Sequence, residues 1–152
     1  MRPVDLYHVG FVTDDFDKTL EFLSKAAGYR WANELKTDNL LVIGEAETIV
    51  PLRCTYSRDE PHVEVLQAIP GTLFSPSGTS PHHLGYWSDD IEADLAALAA
   101  AGATIDGRGY WPDRRGPIWA FATPPGGPRI ELVHSASKAS MERWWKTGVL
   151  GG

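Results

Sequence analysis

Apolar and β-branched residues crowd Leu6 to Thr13 with little alternation, the pattern of a strand buried on both faces. From Phe16 the period changes. Phe16, Leu20, Leu23 and Ala27 recur at helical spacing, Asp14 or Asp15 can cap the first turn through its carboxylate, and Gly28 suits the stop. Three strand runs follow, at about 29–36, 39–56 and 62–68. After a stretch from Gly71 to Pro81 punctuated by Pro76 and Gly78, the same order returns. A strand from His83 leads to a cap at Asp89 or Asp90, a stripe of Ile91, Leu95, Leu98 and Ala101, and a stop at Gly102. Three more strand runs are predicted at about 103–110, 117–123 and 129–134, with turns at Pro112 to Gly116 and Pro124 to Pro128.

The repeat extends to individual residues. His8-Val9-Gly10-Phe11-Val12-Thr13-Asp14-Asp15-Phe16 returns as His83-Leu84-Gly85-Tyr86-Trp87-Ser88-Asp89-Asp90-Ile91, and Val63-Glu64-Val65-Leu66 as Ile130-Glu131-Leu132-Val133. The pattern predicts an α+β fold of two tandem βαβββ modules, about 4–70 and 81–135, joined by a linker at 71–80 within one domain of residues 1–136. Two curved sheets of this kind would make a half-open, mostly antiparallel barrel around one site. The tail, 137–152, is expected to carry a short helix from Ser137 to Lys146 that docks Met141, Trp144 and Trp145 against the sheet or a second subunit.

Composition narrows the function classes. A chain of 152 residues can bury about two-thirds of its unfolded surface without a structural staple, and the single Cys54 excludes an internal disulfide or a thiolate cluster. A net charge of −6 argues against general nucleic-acid binding, although Arg114-Arg115 could still meet an anionic metabolite. Met1-Arg2-Pro3-Val4-Asp5 lacks the apolar run of a secretory leader, and no segment approaches the roughly 18 apolar residues of a membrane span. A cytoplasmic protein without membrane contact is the expectation.

Each half opens on a histidine and closes on a glutamate, and strand alternation decides which neighbours share their faces. His8 lies with Gly10 and Val12, His83 with Gly85 and Trp87, and Glu131 with Arg129 and Val133. A glycine two residues after each histidine leaves room above the imidazole for a metal and a substrate. His62 and His82 compete as ligands. His62 shares a face with Glu64, whereas His82 is expected to point away from His83, and the repeat register selects His83. The candidate ligands are therefore His8, Glu64, His83 and Glu131, a nitrogen and oxygen set that suits Zn, Ni, Co, Mn or Fe.

These residues resemble the vicinal oxygen chelate superfamily, which includes glyoxalase I, methylmalonyl-CoA epimerase, extradiol dioxygenases and bleomycin-resistance proteins. The segment Pro81-His82-His83-Leu84-Gly85-Tyr86-Trp87-Ser88-Asp89-Asp90-Ile91-Glu92 is especially similar to the second epimerase module. The resemblance implies paired βαβββ modules with one ligand from each of four strands, and a homodimer. It also implies that Glu131, loosening from the metal, shuttles a proton, and that a second glutamate on an earlier strand takes part. Glu47, or else Glu45, lies in that stretch, though Gly44-Glu45-Ala46-Glu47 equally reads as a solvated hairpin turn.

Trp87, Trp111, Trp119 and Phe121 are candidates for an apolar wall against a small-molecule substrate, and Arg129 for a carboxylate or phosphate contact or a structural ion pair. The functional expectation is a metal-dependent isomerase, epimerase or lyase that works through a metal-stabilised enolate of a small carbonyl metabolite. One alternative is an Fe(II) extradiol-type dioxygenase on His8, His83 and Glu131, with Glu64 left over. Another is a non-catalytic protein that sequesters a drug or metabolite. Glutathione and coenzyme A substrates both remain open on the sequence.

Overall fold

A computed structural model describes residues 1–76, 78, 80–111 and 116–150 of the chain. The first module runs β1 (Leu6–Thr13), α1 (Phe16–Ala27), β2 (Leu35–Ile43), β3 (Ala46–Tyr56) and β4 (His62–Gln67). The second runs β5 (His83–Ser88), α2 (Ile91–Ala100), β6 (Thr104–Tyr110), β7 (Pro117–Thr123) and β8 (Ile130–His134). Asp15 and Asp90 cap the two helices, accepting from the backbone N–H of Lys18 and Ala93 at 3.2 and 3.0 Å.

The strands close in the order β1-β4-β3-β2-β6-β7-β8-β5. β1 pairs in parallel with β4 and β5 with β8, while the other six neighbours are antiparallel. The seam expected to stay open is bridged by β2 and β6 over Leu40↔Tyr110, Leu41↔Gly109 and Val42↔Arg108. Gly109, paired there with Leu41, has no room for a side chain, because a Cβ would overlap the buried Trp119 ring.

Two assignments shift. The run expected as a strand at about 29–36 makes only an isolated bridge, Trp31↔Ser57, before β2 begins at Leu35. The single run expected over 39–56 is folded at Gly44 (φ 59°) into the β2–β3 hairpin, so Gly44-Glu45-Ala46-Glu47 takes its alternative reading as a solvated turn. Most of the turn expected at 112–116, with Arg114 and Arg115, lies outside the described residues.

Helix α1 covers the outer face of the first module through Phe16, Leu20 and Leu23 against Val63 and Val65. Helix α2 does the same in the second, with Ile91 and Leu95 against Ala120, Ala122 and Leu132. Helix-facing valines therefore flank an inward-facing Glu64, on the strand face that it shares with His62. The 71–80 connection is partly core, since Phe74 is buried against Trp119 and Phe121.

Helix α3 (Lys138–Thr147) lies across the barrel. Its Trp144 is buried beside Tyr56 and donates to the Asn33 carbonyl, while Trp145 packs on His62 at 4.0 Å. Arg58 donates to the carbonyls of Trp145 and Lys146, so the last turn does not leave those acceptors bare.

Candidate metal centre

Four strands deliver four side chains to one point. Gly10 of β1 faces His83 on β5 and Glu64 on β4, and Gly85 of β5 faces His8 on β1 and Glu131 on β8. A Cβ on Gly10 would overlap the His83 ring, and one on Gly85 would overlap the His8 ring. Each glycine thus makes room for the imidazole of the other module, not above its own. All four candidate ligands come from one chain and are buried.

The Nε2 atoms of His8 and His83 lie 2.9 Å apart. Glu64 Oε2 stands 3.5 and 3.1 Å from them, and Glu131 Oε2 3.2 and 3.4 Å. Donor atoms about 2.0–2.2 Å from a shared ion, at angles between square and tetrahedral, would be spaced by about 2.8–3.6 Å. The fit is close. Both Oε2 atoms are buried without a hydrogen-bond partner, so the carboxylates converge on a position where only a cation or imidazolium protons would compensate them.

In the absence of an ion the charges lean on each other. Burial alone would push the His83 imidazolium down, but Glu131 and Glu64 outweigh it and hold the pKa up at about 9. His8 is raised for the same reasons. Burial opposes ionisation of Glu64, yet the two histidines hold it below the usual carboxylate range, and Glu131 is lowered likewise.

The surroundings are nearly, but not fully, two-fold. Tyr56 lies opposite Glu64 across β3–β4, with its ring 5.3 Å from that of His8. Phe121 takes the matching place opposite Glu131, 5.2 Å from the His83 ring. Burial and the nearby Glu64 push the Tyr56 phenol well above 10, so it is a neutral donor.

His82 departs from expectation. It precedes β5, so strand alternation does not turn it away: its Nδ1 lies 3.0 Å from Nδ1 of His83. Burial and the His83 charge lower its pKa to about 4.

A cavity of about 190 Å³ opens onto Glu64 and Glu131, walled by Trp111, Trp119, Leu52, Ile118 and Phe74 and roofed by Met141 and Trp144 of α3. Tyr56, Asn39, Thr37 and Ser137 supply its polar points beside the two glutamates, and no lysine or arginine is among its described lining residues. Asn39 is fixed by the Trp119 indole N–H, which donates to its Oδ1 at 3.3 Å.

A family model for the glyoxalase/bleomycin resistance protein/dioxygenase superfamily matches residues 7–116. The chain belongs to this superfamily. Among curated proteins, none matches it significantly. Among solved structures, a methylmalonyl-CoA epimerase in complex with methylmalonyl-CoA and NH4+ is 22% identical, with 88% of this chain and 95% of that one covered and a TM-score of 0.58. The methylmalonyl-CoA epimerase of Mycobacterium tuberculosis is 19% identical, with coverages of 90% and 91% and a TM-score of 0.57. A mutant 4-hydroxymandelate synthase from Streptomyces coelicolor is 18% identical at a TM-score of 0.52, and 88% of this chain spans only 38% of that enzyme. At such identities the likeness is one of fold.

Within the superfamily barrel, the expected wall residues separate. Trp111 and Trp119 line the cavity with Glu64 and Glu131. Phe121 is fully buried beneath His83, and Trp87 stacks on Tyr7 at 3.8 Å, beside a different surface pocket. Arg129 sits outside the cavity in an ion pair with Asp106 at 3.0 Å, so its guanidinium is committed to structure. Glu47 is not brought to the centre. It is exposed on β3 opposite Val42, in alternation with the outward-facing Arg53 and out of step with Cys54 and Tyr56. Tyr56 and Asn39 were missed, because one tyrosine beside a turn and one asparagine in an apolar run carry no distinctive sequence signal. Only cross-strand register brings them to the cavity.

Proposed function

We propose that this protein is a metal-dependent enzyme that moves a proton to or from a carbon next to a carbonyl, as an isomerase, epimerase or lyase. The convergence of two imidazoles and two carboxylates, each with a buried Oε2 that lacks a hydrogen-bond partner, at the floor of an apolar cavity carries this reading. A divalent ion held by His8, Glu64, His83 and Glu131 would supply Lewis-acid stabilisation of the oxygen charge that develops as the proton leaves. The chain supplies the rest.

Glu64 and Glu131 are the only carboxylates among the described lining residues, so the proton acceptor is one of the ligand pair. Glu131 is the better base, because its cross-strand neighbour Phe121 offers no hydrogen bond to quench it, whereas Glu64 has the Tyr56 phenol opposite. Tyr56 donates to a substrate oxygen and orients it. The cavity suits an uncharged substrate with one ring or a short branched chain, since about 150 Å³ of apolar space holds a benzene-sized molecule. Glu64 weighs against the dioxygenase alternative, which needs a single carboxylate.

Metal content and solvent deuterium exchange test the proposal together. One divalent ion per chain in purified protein, with wash-out of the α-proton from small aryl or branched 2-hydroxy ketones, is expected. Protein that neither contains nor takes up an ion on titration would overturn it.

A further inference from the structure

His82 has its Nε2 2.8 Å from the Leu73 carbonyl oxygen and its Nδ1 3.0 Å from Nδ1 of His83. A carbonyl oxygen only accepts, and an Nδ1···Nδ1 contact holds a single proton, so one ring donates and the other accepts. Ligation through Nε2 of His83 fixes the direction. That nitrogen must be bare, so the His83 proton is on Nδ1 and points at His82. His82 Nδ1 is then the acceptor, and the His82 proton sits on Nε2 and goes to Leu73. One tautomer of each ring satisfies the Leu73 and His82–His83 contacts, and in it Arg129 Nη1, 2.7 Å from the protonated Nε2, donates to the Leu73 carbonyl instead.

The opposite direction has a definite cost. Arg129 Nη1 lies 2.7 Å from His82 Nε2 and 3.1 Å from the Leu73 carbonyl. Were Arg129 to donate to a bare Nε2, the His82 proton would move to Nδ1 and be donated to His83. The His83 proton would then occupy Nε2, the atom facing both glutamates. The lone pair needed by an ion would be covered.

We propose that His82 is a positioning residue that locks His83 in the tautomer presenting a bare Nε2, with Leu73 as the anchor of the relay. The proposal rests on the metal-centre reading. The Leu73 carbonyl comes from the segment joining the modules, so that connection reaches the centre through two rings. Outer partners of this kind commonly account for about 10- to 100-fold in metal affinity.

The test is zinc and cobalt(II) titration of the full chain in two variants. His82→Leu keeps bulk but removes the acceptor, and about 10- to 100-fold weaker binding is expected. His82→Asn returns an acceptor oxygen at the δ position and should restore affinity to within about threefold of the parent. Equal weakening in both variants, or none in either, would overturn the proposal. A parent protein that binds no metal would instead sink the metal-centre reading. Should His82→Leu not fold, the zinc-loaded parent decides by long-range proton–nitrogen NMR of its histidines. A proton on Nδ1 of His83 and on Nε2 of His82 supports the relay, and a proton on Nδ1 of His82 overturns it.

Discussion

Gly10 and His83 occupy one space from opposite modules: they face each other across the antiparallel β1–β5 pair, and the imidazole fills the volume that a side chain at residue 10 would need. Gly85 and His8 repeat the arrangement in reverse. A methyl group at either glycine has no flexible neighbour to displace, because the obstacle is a buried ring. Gly10→Ala is expected to destabilise the fold by at least about 1–3 kcal/mol and to lose metal. In a double-mutant cycle, His83→Ala should recover most of the stability but none of the metal. Thermal melts and metal analysis of the three variants check this.

Glu64 and Glu131 differ in their neighbours and should differ in their variants. Glu131→Gln is expected to lower α-proton exchange by about 10²- to 10⁴-fold, the range for a lost general base, while the remaining ligands still hold an ion. Exchange rates measured at saturating metal separate loss of chemistry from loss of binding.

Tyr56 is neutral and lines the cavity, and the role proposed for it is a hydrogen bond donated to substrate. A bond to a charge-bearing oxygen is worth about 1.5–3 kcal/mol, and Tyr56→Phe should slow turnover by roughly 10- to 100-fold. Metal stoichiometry should not change. A variant that loses its ion would show that the phenol supports Glu64 and not the substrate.

The metal-free protein has a pH dependence with a defined sign. The folded pKa of His83, about 9, lies above its ordinary value of 6.5. Its stabilisation is therefore full below about pH 6.5 and is lost as pH rises through about 9. Glu64 and Glu131 are lowered, so their stabilisation is present above about pH 4.5 and fades as pH falls toward their folded values. Melting temperature should decline from about pH 7 to 9.5 in chelator, and a stoichiometric divalent ion should flatten that decline. Parallel melts with and without zinc measure it.

Removing Trp144 should detach the roof. The indole is 1% exposed, packs on Tyr56 and ties α3 to Asn33. Trp144→Ala is expected to cost about 3–5 kcal/mol, read by denaturant unfolding, and to let solvent reach the cavity.

The duplicated histidine and glutamate segments made the fold and the four candidate ligands legible, because repetition in sequence maps onto repetition in space. Phe121 and Trp119 were readable as inward aromatics, but Arg129 was not separable from an ion pair until Asp106 came beside it. Glu47 misled for a local reason, since a single residue of phase in β3 turns a side chain from cavity to solvent. The closing β2–β6 contact joins segments without motif, and His82 was misjudged because strand alternation was applied one residue before its strand began. Pairing register and strand ends, not composition, decided each of these.

Tyr56 and Phe121 are counterparts at the two glutamates, and they are the place where the doubled barrel ceases to mirror itself. Only Tyr56 of the two lines the cavity, since Phe121 is fully buried, so the chamber carries a hydroxyl beside Glu64 and gains none from the matching residue beside Glu131, and a planar guest would meet unlike neighbours on its two sides.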